Sequence, residues 1–406
     1  MMMLLLVAAA AALVAPGSRP SGAVACRGAT YDYCVQALGC TAEEATKAEG
    51  ALLPNIAESI TRTQAEEMLG WLRSRLDLSD AELKKVVLTF PALLGCSVED
   101  NMELKLNWLE TRLDLDAGQL RKIVLRLPSV LGLSVEDNLA PTLEWLQRRL
   151  ELDDAGLRKV VLGLPPLLGL SIEDNLAPKL QWLQTRLELD AEQLRKMVLR
   201  LPPLLSLSVE DNLAPKLDWL QDRLNLDAAQ LRKVVLVRPT LLGLSVDNLA
   251  PRLDWLQRRL DLDDAQLKKV VLTFSPLLTY SVKDNLAPTL EWVQTRLDLD
   301  ESGLRKMVLA LPSLLGYSVE ANMEPKLCFF EDELGLSPSE VRASIISTPA
   351  RLGYSLKTRY RPRLEVCRAV GADVSIVLSG GGRTDAAFCK RVGVPLEALR
   401  AAQEDV

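Results

Sequence analysis

Positive side chains recur on a fixed grid in this 406-residue chain. Arg75, Arg112, Arg149, Arg186, Arg223, Arg259 and Arg296 each stand four residues after a tryptophan. Thirteen and fourteen residues after the same tryptophans come Lys84-Lys85, Arg121-Lys122, Arg158-Lys159, Arg195-Lys196, Arg232-Lys233, Lys268-Lys269 and Arg305-Lys306. Three before them lie Lys105, Lys179, Lys216 and Arg252. Cations repeated at one interval along a stacked array form parallel rows, and such rows suit the tracking of a phosphate backbone. The chemistry on offer is the holding of a polyanion.

Bond-making chemistry has little to work with. The chain has no His, which removes the commonest general base and metal ligand. Seven Cys (26, 34, 40, 96, 328, 367 and 389) are scattered without a CxxC pair, so neither a zinc site nor a disulfide framework is expected. Cys34 and Cys40 are near enough to pair, but buried or free thiols are the simpler reading. Gly380-Gly381-Gly382 lacks the strand and helix that would make a phosphate nest and reads as a turn. Walker and GxSxG motifs are absent. These features exclude an enzyme and imply no cofactor and no metal.

The elements that must carry the rows are set by a repeat. Every Trp lies on it: Trp71, Trp108, Trp145, Trp182, Trp219, Trp255 and Trp292, at steps of 37 residues with a single 36. The short step is a lost Glu, where SVEDN becomes Ser245-Val246-Asp247-Asn248. Pro128, Pro165 and Pro202 follow their Trp by twenty residues, and Pro141, Pro178 and Pro215 precede theirs by four. An Asn stands seven before each Trp from Asn101 onward, and Phe329 and Val366 continue the register. In the Trp182 repeat, Pro178 opens a first helix with a Leu180, Leu183, Leu187 stripe. Asp190 caps a second, with Gln193 as its capping-box partner and Leu194, Met197, Val198 and Leu201 as its apolar face. Pro202 ends that helix, and PPLLS reads as a single 3₁₀ turn. Ser208 with Asp211 then starts a brief turn leading to Pro215. No segment alternates like a strand. The fold class is all-α, a helical-repeat solenoid of eight to nine units sharing one continuous core.

The phrases LPPLLGLSIEDNLAPKLQWL (164–183) and FFEDELGLSPSEVRASIISTPARLGYSLKTRYRPRLEV (329–366) resemble the mitochondrial transcription termination factor (mTERF) family. The family repeat is two helices and a 3₁₀ turn with a Pro-x-Leu-Leu signature. Leu334-Gly335-Leu336-Ser337, Tyr354-Ser355-Leu356, Arg359, Pro362 and Arg363 resemble its final repeat, and Phe388 its closing turn. The resemblance implies a curved left-handed superhelix holding double-stranded nucleic acid in a concave groove, in a mitochondrion or plastid. It also implies a role in transcription termination or another step of organelle gene expression.

On this reading the candidate nucleic-acid contacts are Arg112, Lys122, Arg149, Lys159, Arg186, Lys196, Arg223, Lys233, Arg259, Lys269, Arg296 and Lys306, with Arg359 and Arg363 in the last repeat. Charge balance opposes a uniformly basic array. The net charge is −6 with a pI near 5.2. Trp182 to Asp218 carries five basic against six acidic residues, so the two signs must occupy different faces. The same rows also fit a solvated face laced with i,i+4 pairs. The Trp ladder reads as packing between repeats, and the Asn ladder as a bond between turns that holds the stack.

Met1 to Val14 is uninterrupted apolar sequence followed by small residues, the pattern of a secretory-type leader. It suggests a targeting leader over 1–20, a linker or transit region over 21–58 and the repeat domain over 59–406. The expected address is a plastid, with a mitochondrion as the alternative. The partners expected are duplex DNA or structured RNA, and organellar transcription or ribosomal proteins in a scaffold role. No membrane span and a monomer are expected. RNA splicing or ribosome assembly is the alternative to transcription.

Overall fold

A computed structural model describes residues 29–52, 60–379 and 384–404. The leader assigned to 1–20 and the Gly380–Gly382 turn lie outside them. The chain divides into two compact bodies, Met1–Leu207 and Ser208–Val406, each described in its own terms. Among the described residues all regular structure is helical. Eight helix pairs, from Arg62–Leu76 with Asp80–Thr89 to Glu324–Asp332 with Pro338–Ser347, are each followed by a 3₁₀ turn.

Local signals act as read. In the Trp182 repeat the first helix is Ala177–Arg186, with Pro178 in its opening turn. The second is Ala191–Arg200, where Asp190 Oδ1 accepts from the Gln193 amide at 2.7 Å and Gln193 Oε1 accepts from the Asp190 amide at 3.2 Å. Pro202–Ser206 is the 3₁₀ turn. Leu180, Leu183, Leu187, Leu194, Met197 and Val198 are buried, whereas Leu201, at the helix end, is half-buried. A fully buried side chain of this size contributes about 1.5–3 kcal/mol, and every repeat buries several.

The turn before the first helix is more ordered than its sequence suggests. Ile172–Leu176 is a π-helical turn that runs directly into Ala177–Arg186. Ser171 caps it, its hydroxyl accepting from the Asp174 amide at 3.0 Å. The Leu176 amide donates five residues back, to the Ser171 carbonyl, at 3.0 Å. Where the Glu is missing, the matching bond from Leu249 reaches only four back, to Ser245, and Val246–Leu260 is one uninterrupted α-helix. A π turn is an α-helix with one inserted residue. The 36-residue step therefore removes the inserted residue and leaves the stacking register intact.

The span read as a linker is folded where it is described. Ala29–Leu38 and Ala42–Gly50 pair with each other and pack on Arg62–Leu76 and Asp80–Thr89, capping the first repeat. Cys34 and Cys40 are buried free thiols there. At the other end Asp385–Val392 and Leu396–Glu404 pack together, and the latter also lies against Arg361–Val370. Solenoids need such caps because a terminal repeat has a neighbour on one side only.

Candidate nucleic-acid interface

The four cationic rows separate by depth. The row three before the Trp is internal: Lys105, Lys179, Lys216 and Lys326 are 2–5% exposed. Lys179 Nζ donates to the Leu205 carbonyl at 2.5 Å and to Asn175 Oδ1 at 2.9 Å. Lys326 does the same to Leu352 (2.5 Å) and Asn322 (2.6 Å). Each closes the first helix of a repeat onto the end of that repeat's own 3₁₀ turn, where a carbonyl lacks a helical partner. Arg252 reaches the Leu278 carbonyl at 2.8 Å in the same way. The Asn ladder consequently bonds inside its repeat: where Thr142 and Thr289 replace the Lys, Asn138 and Asn285 accept from the Ser134 and Ser281 amides.

Burial moves the Lys326 ammonium from its ordinary 10.5 down to about 8, and Lys105 and Lys216 in the same direction. Between pH 8 and 10.5 the unfolded chain holds this proton and the folded chain has lost it, so stability rises with pH through that window. Urea unfolding at pH 7 and pH 10.5 should show wild type gaining on Lys326→Met. A constant difference between the two proteins would refute the assignment.

The arginine row four after the Trp joins neighbours. Arg112 bonds Gln147 of the next repeat at 2.5 Å, and Arg149 bonds Gln184 at 2.8 Å. Arg223 meets Asp254 (2.9 Å) and Gln257 (2.7 Å), and Arg259 meets Gln294 (2.6 Å) and Glu301 (2.5 Å). Arg296 grips Glu331 at 2.9 Å and Glu324 at 3.3 Å. Arg186 is half-buried. The side chains of Arg112, Arg223, Arg259 and Arg296 are 23–25% exposed. These guanidinium groups, expected at phosphates, are engaged between stacked first helices. The Trp ladder beside them is half-buried.

The first member of each cation pair also points to a neighbour. Arg158 donates to the Leu113 carbonyl at 2.7 Å and to Asp114 at 2.5 Å, and Arg305 to Leu260 (2.7 Å) and Asp261. Lys268 donates to the Asn225 carbonyl at 2.5 Å. The acceptors sit at the end of the preceding repeat's first helix, where Asp77, Asp114, Glu151, Glu188, Asn225, Asp261 and Asp298 have φ between 47° and 50°. A cation there satisfies orphan carbonyls and complements the helix dipole. Sequence reading missed these left-handed positions; the recurring Leu-Asp-Leu or Leu-Glu-Leu, once Leu-Asn-Leu, just before the N-cap was the available signal.

The second member alone faces solvent throughout. Lys85, Lys122, Lys159 and Lys196 in the first body, and Lys233, Lys269 and Lys306 in the second, are all exposed. Each lies between residues four before and four after on one helix face: Ala81 and Thr89, Gly118 and Arg126, Ala155 and Gly163, Glu192 and Arg200, Ala229 and Val237, Ala265 and Thr273, Ser302 and Ala310. Glu192 is the one acid on this stripe, and it pairs with Lys196 at 2.6 Å. Acids cluster elsewhere, at helix starts and on the π turns. The required separation of signs is therefore present, on the second helices. Small flanking residues, which sequence reading did not single out, let a broad anion approach the ammonium groups.

In the last repeat the two candidates part company. Arg359 is half-buried with its guanidinium 3.9 Å from the centre of the Tyr354 ring. Arg363 is 1% exposed, bonded to Asp385 at 2.6 Å and set over Phe388, so it cannot face a phosphate. Its place near the chain's end in a basic run hid this, because burial is made by the closing helices.

Tandem helix pairs with 3₁₀ turns, caps at both ends and one solvent-facing lysine in each of the first seven repeats define a helical-repeat protein that presents a row of cations on each of its two bodies. The mTERF family model matches residues 35–299 and, overlapping them, 222–378. The chain belongs to the mTERF family. No individual curated protein matches it. Membership implies an organellar, nucleic-acid-binding protein of the transcription-termination-factor type, in a family whose members are generally not enzymes. Among the described residues no helix is long and apolar enough to cross a membrane.

Proposed function

We propose that this protein binds double-stranded DNA in an organelle and regulates transcription there, with the second-helix lysines as its phosphate contacts. The observation that carries the reading is a row of exposed second-helix lysines on each body, four on the first and three on the second, with one acid among their flanking positions. Consecutive second helices pack side by side within each body, as Asp154–Gly163 does with Ala191–Arg200. Packed helices lie about 8–10 Å apart, which sets the interval between ammonium groups. Lys is a hydrated point charge suited to phosphate rather than to bidentate reading of bases. No aromatic residue lies on the stripe, so unpaired bases have no stacking platform there, which favours a duplex over a single strand. The apolar Met1–Val14 stretch favours a plastid address.

The test is a salt titration of duplex binding. Each neutralised phosphate contributes about −0.9 to the slope of log affinity against log salt, so four contacts on the first body give roughly −4 and three on the second roughly −3. A slope near zero would overturn the mechanism. Stronger binding of structured RNA than of DNA in competition would move the role to RNA processing.

A further inference from the structure

One inter-repeat groove differs from the rest. Between Asp80–Thr89 and Ala117–Arg126 lies an open cavity of about 330 Å³ lined by Lys85, Gly118, Arg121, Lys122, Leu125 and Arg126. We propose that this groove is a binding site for two linked phosphate groups, as in pyrophosphate, a nucleoside polyphosphate or successive phosphates of one strand. Its position on the lysine stripe makes it a deepening of the duplex-binding reading, but the pocket needs no duplex to be filled.

Charge and geometry both select this ligand. Four cations line the space. Arg121 is held by Glu82, its Nη2 donating to the two carboxylate oxygens at 2.8 and 2.7 Å. Glu82 is itself fixed by the Ser79 amide (2.9 Å) and hydroxyl (2.7 Å). Those bonds, with the one from Arg121, hold its carboxyl down at about 2, so it is ionised at any physiological pH. It fixes the guanidinium and cancels one of the four charges. Arg121 Nε is buried and makes no hydrogen bond among the described residues. Lys85, Lys122 and Arg126 have no carboxylate within ion-pair reach among the described residues, leaving a net charge near 3+ for the ligand to meet. Gly118 contributes no side chain, and Leu125 gives an apolar wall. The volume lies at the lower end of small-molecule sites, roughly 300–1,000 Å³, which is larger than one tetrahedral anion needs.

Sister grooves lack the combination. The position of Arg126 is filled by Gly163, Arg200, Val237, Thr273 and Ala310 in the following repeats. Beside Arg200, the one other cation, Lys196 is already taken by Glu192 at 2.6 Å. At the first junction the one acid, Glu82, is spent on Arg121, and both lysines and Arg126 keep their charge, whereas Glu192 takes a lysine of the stripe itself.

Calorimetric titration of the full chain with sodium pyrophosphate, and separately with orthophosphate, tests the site. One equivalent of pyrophosphate should bind, at least tenfold tighter than orthophosphate. Arg126→Ala should weaken it tenfold or more, and Lys85→Ala/Arg126→Ala should abolish it. Arg148→Ala, an exposed cation on a first helix, should change nothing. Failure to saturate, a stoichiometry of several, or equal losses in Arg148→Ala would overturn the proposal. Duplex binding by the same variants separates the sources of phosphate. A loss of at least fivefold in Arg126→Ala points to the strand backbone, and an unchanged duplex affinity points to a free polyphosphate. Should pyrophosphate bind while the duplex does not, the pocket stands and the duplex reading falls; the reverse result removes the pocket alone.

Discussion

Replacing Lys159, Lys233 and Lys269 together by alanine is expected to lower duplex affinity by about two to three orders of magnitude at 0.1 M salt. The estimate follows from three lost contacts at about −0.9 each in the log–log salt slope, which should itself shrink by nearly three. All three side chains are exposed and none pairs with a carboxylate among the described residues. Surface changes of this kind alter stability by about 0.5 kcal/mol or less each, so the fold should hold. Arg259→Ala should behave in the opposite way. It removes the partner of Gln294 and Glu301 in the neighbouring repeat and should cost about 1–3 kcal/mol of stability with the salt slope unchanged. Binding isotherms at four salt concentrations, with urea unfolding of the same samples, read both quantities. If the arginine variant lost the slope and the lysine variant kept it, the two rows would have to exchange roles.

Asp385→Ala is expected to destabilise the second body by about 3–5 kcal/mol, the range seen when one partner of a buried ion pair is removed. Arg363 is 1% exposed, and Asp385 is its carboxylate partner at 2.6 Å. Asp385 also accepts from Gln403 at 3.3 Å, so one carboxylate ties the last repeat to both closing helices. The losses are unequal by design of the site. Asp385 is 41% exposed and water can solvate it alone, whereas Arg363, 1% exposed, would be left buried without its carboxylate. Arg363→Met combined with Asp385→Ala should therefore recover much of the lost stability. Urea unfolding followed by far-UV circular dichroism checks this. A single-variant loss under 1 kcal/mol would show that the pair is not what seals the array.

Much of this architecture is written in short-range spacing. A capping residue, its partner three positions later, a Leu stripe and a helix-ending Pro each act within a few residues, so Asp190, Gln193, Leu194 and Pro202 predict their helix and its limits. The 37-residue period implies stacking because one amphipathic pair cannot cover its own apolar face. The π turn was less legible. Its inserted residue shows only when Ser171 and Ser245 are compared for how far back the next Leu bonds. The family resemblance, carried by Pro, paired Leu and register together, was readable for the same reason: these are local, periodic features.

Which cations meet solvent could not be read that way. Lys179 and Lys196 are the same residue type on equally regular rows, yet one is 5% exposed and the other lies open. The difference arises because Lys179 projects toward the closing 3₁₀ turn of its repeat, while Lys196 stands on the exposed side of its helix. Arg363 shows the same dependence, since helices beyond its own repeat bury it. By itself the sequence determined the helices, their caps, their period and the supply of positive charge. The tertiary structure alone decided which charges are consumed as glue and which remain for a ligand, because exposure depends on how neighbouring helices are rotated and stacked, and residue order carries only the local part of that information.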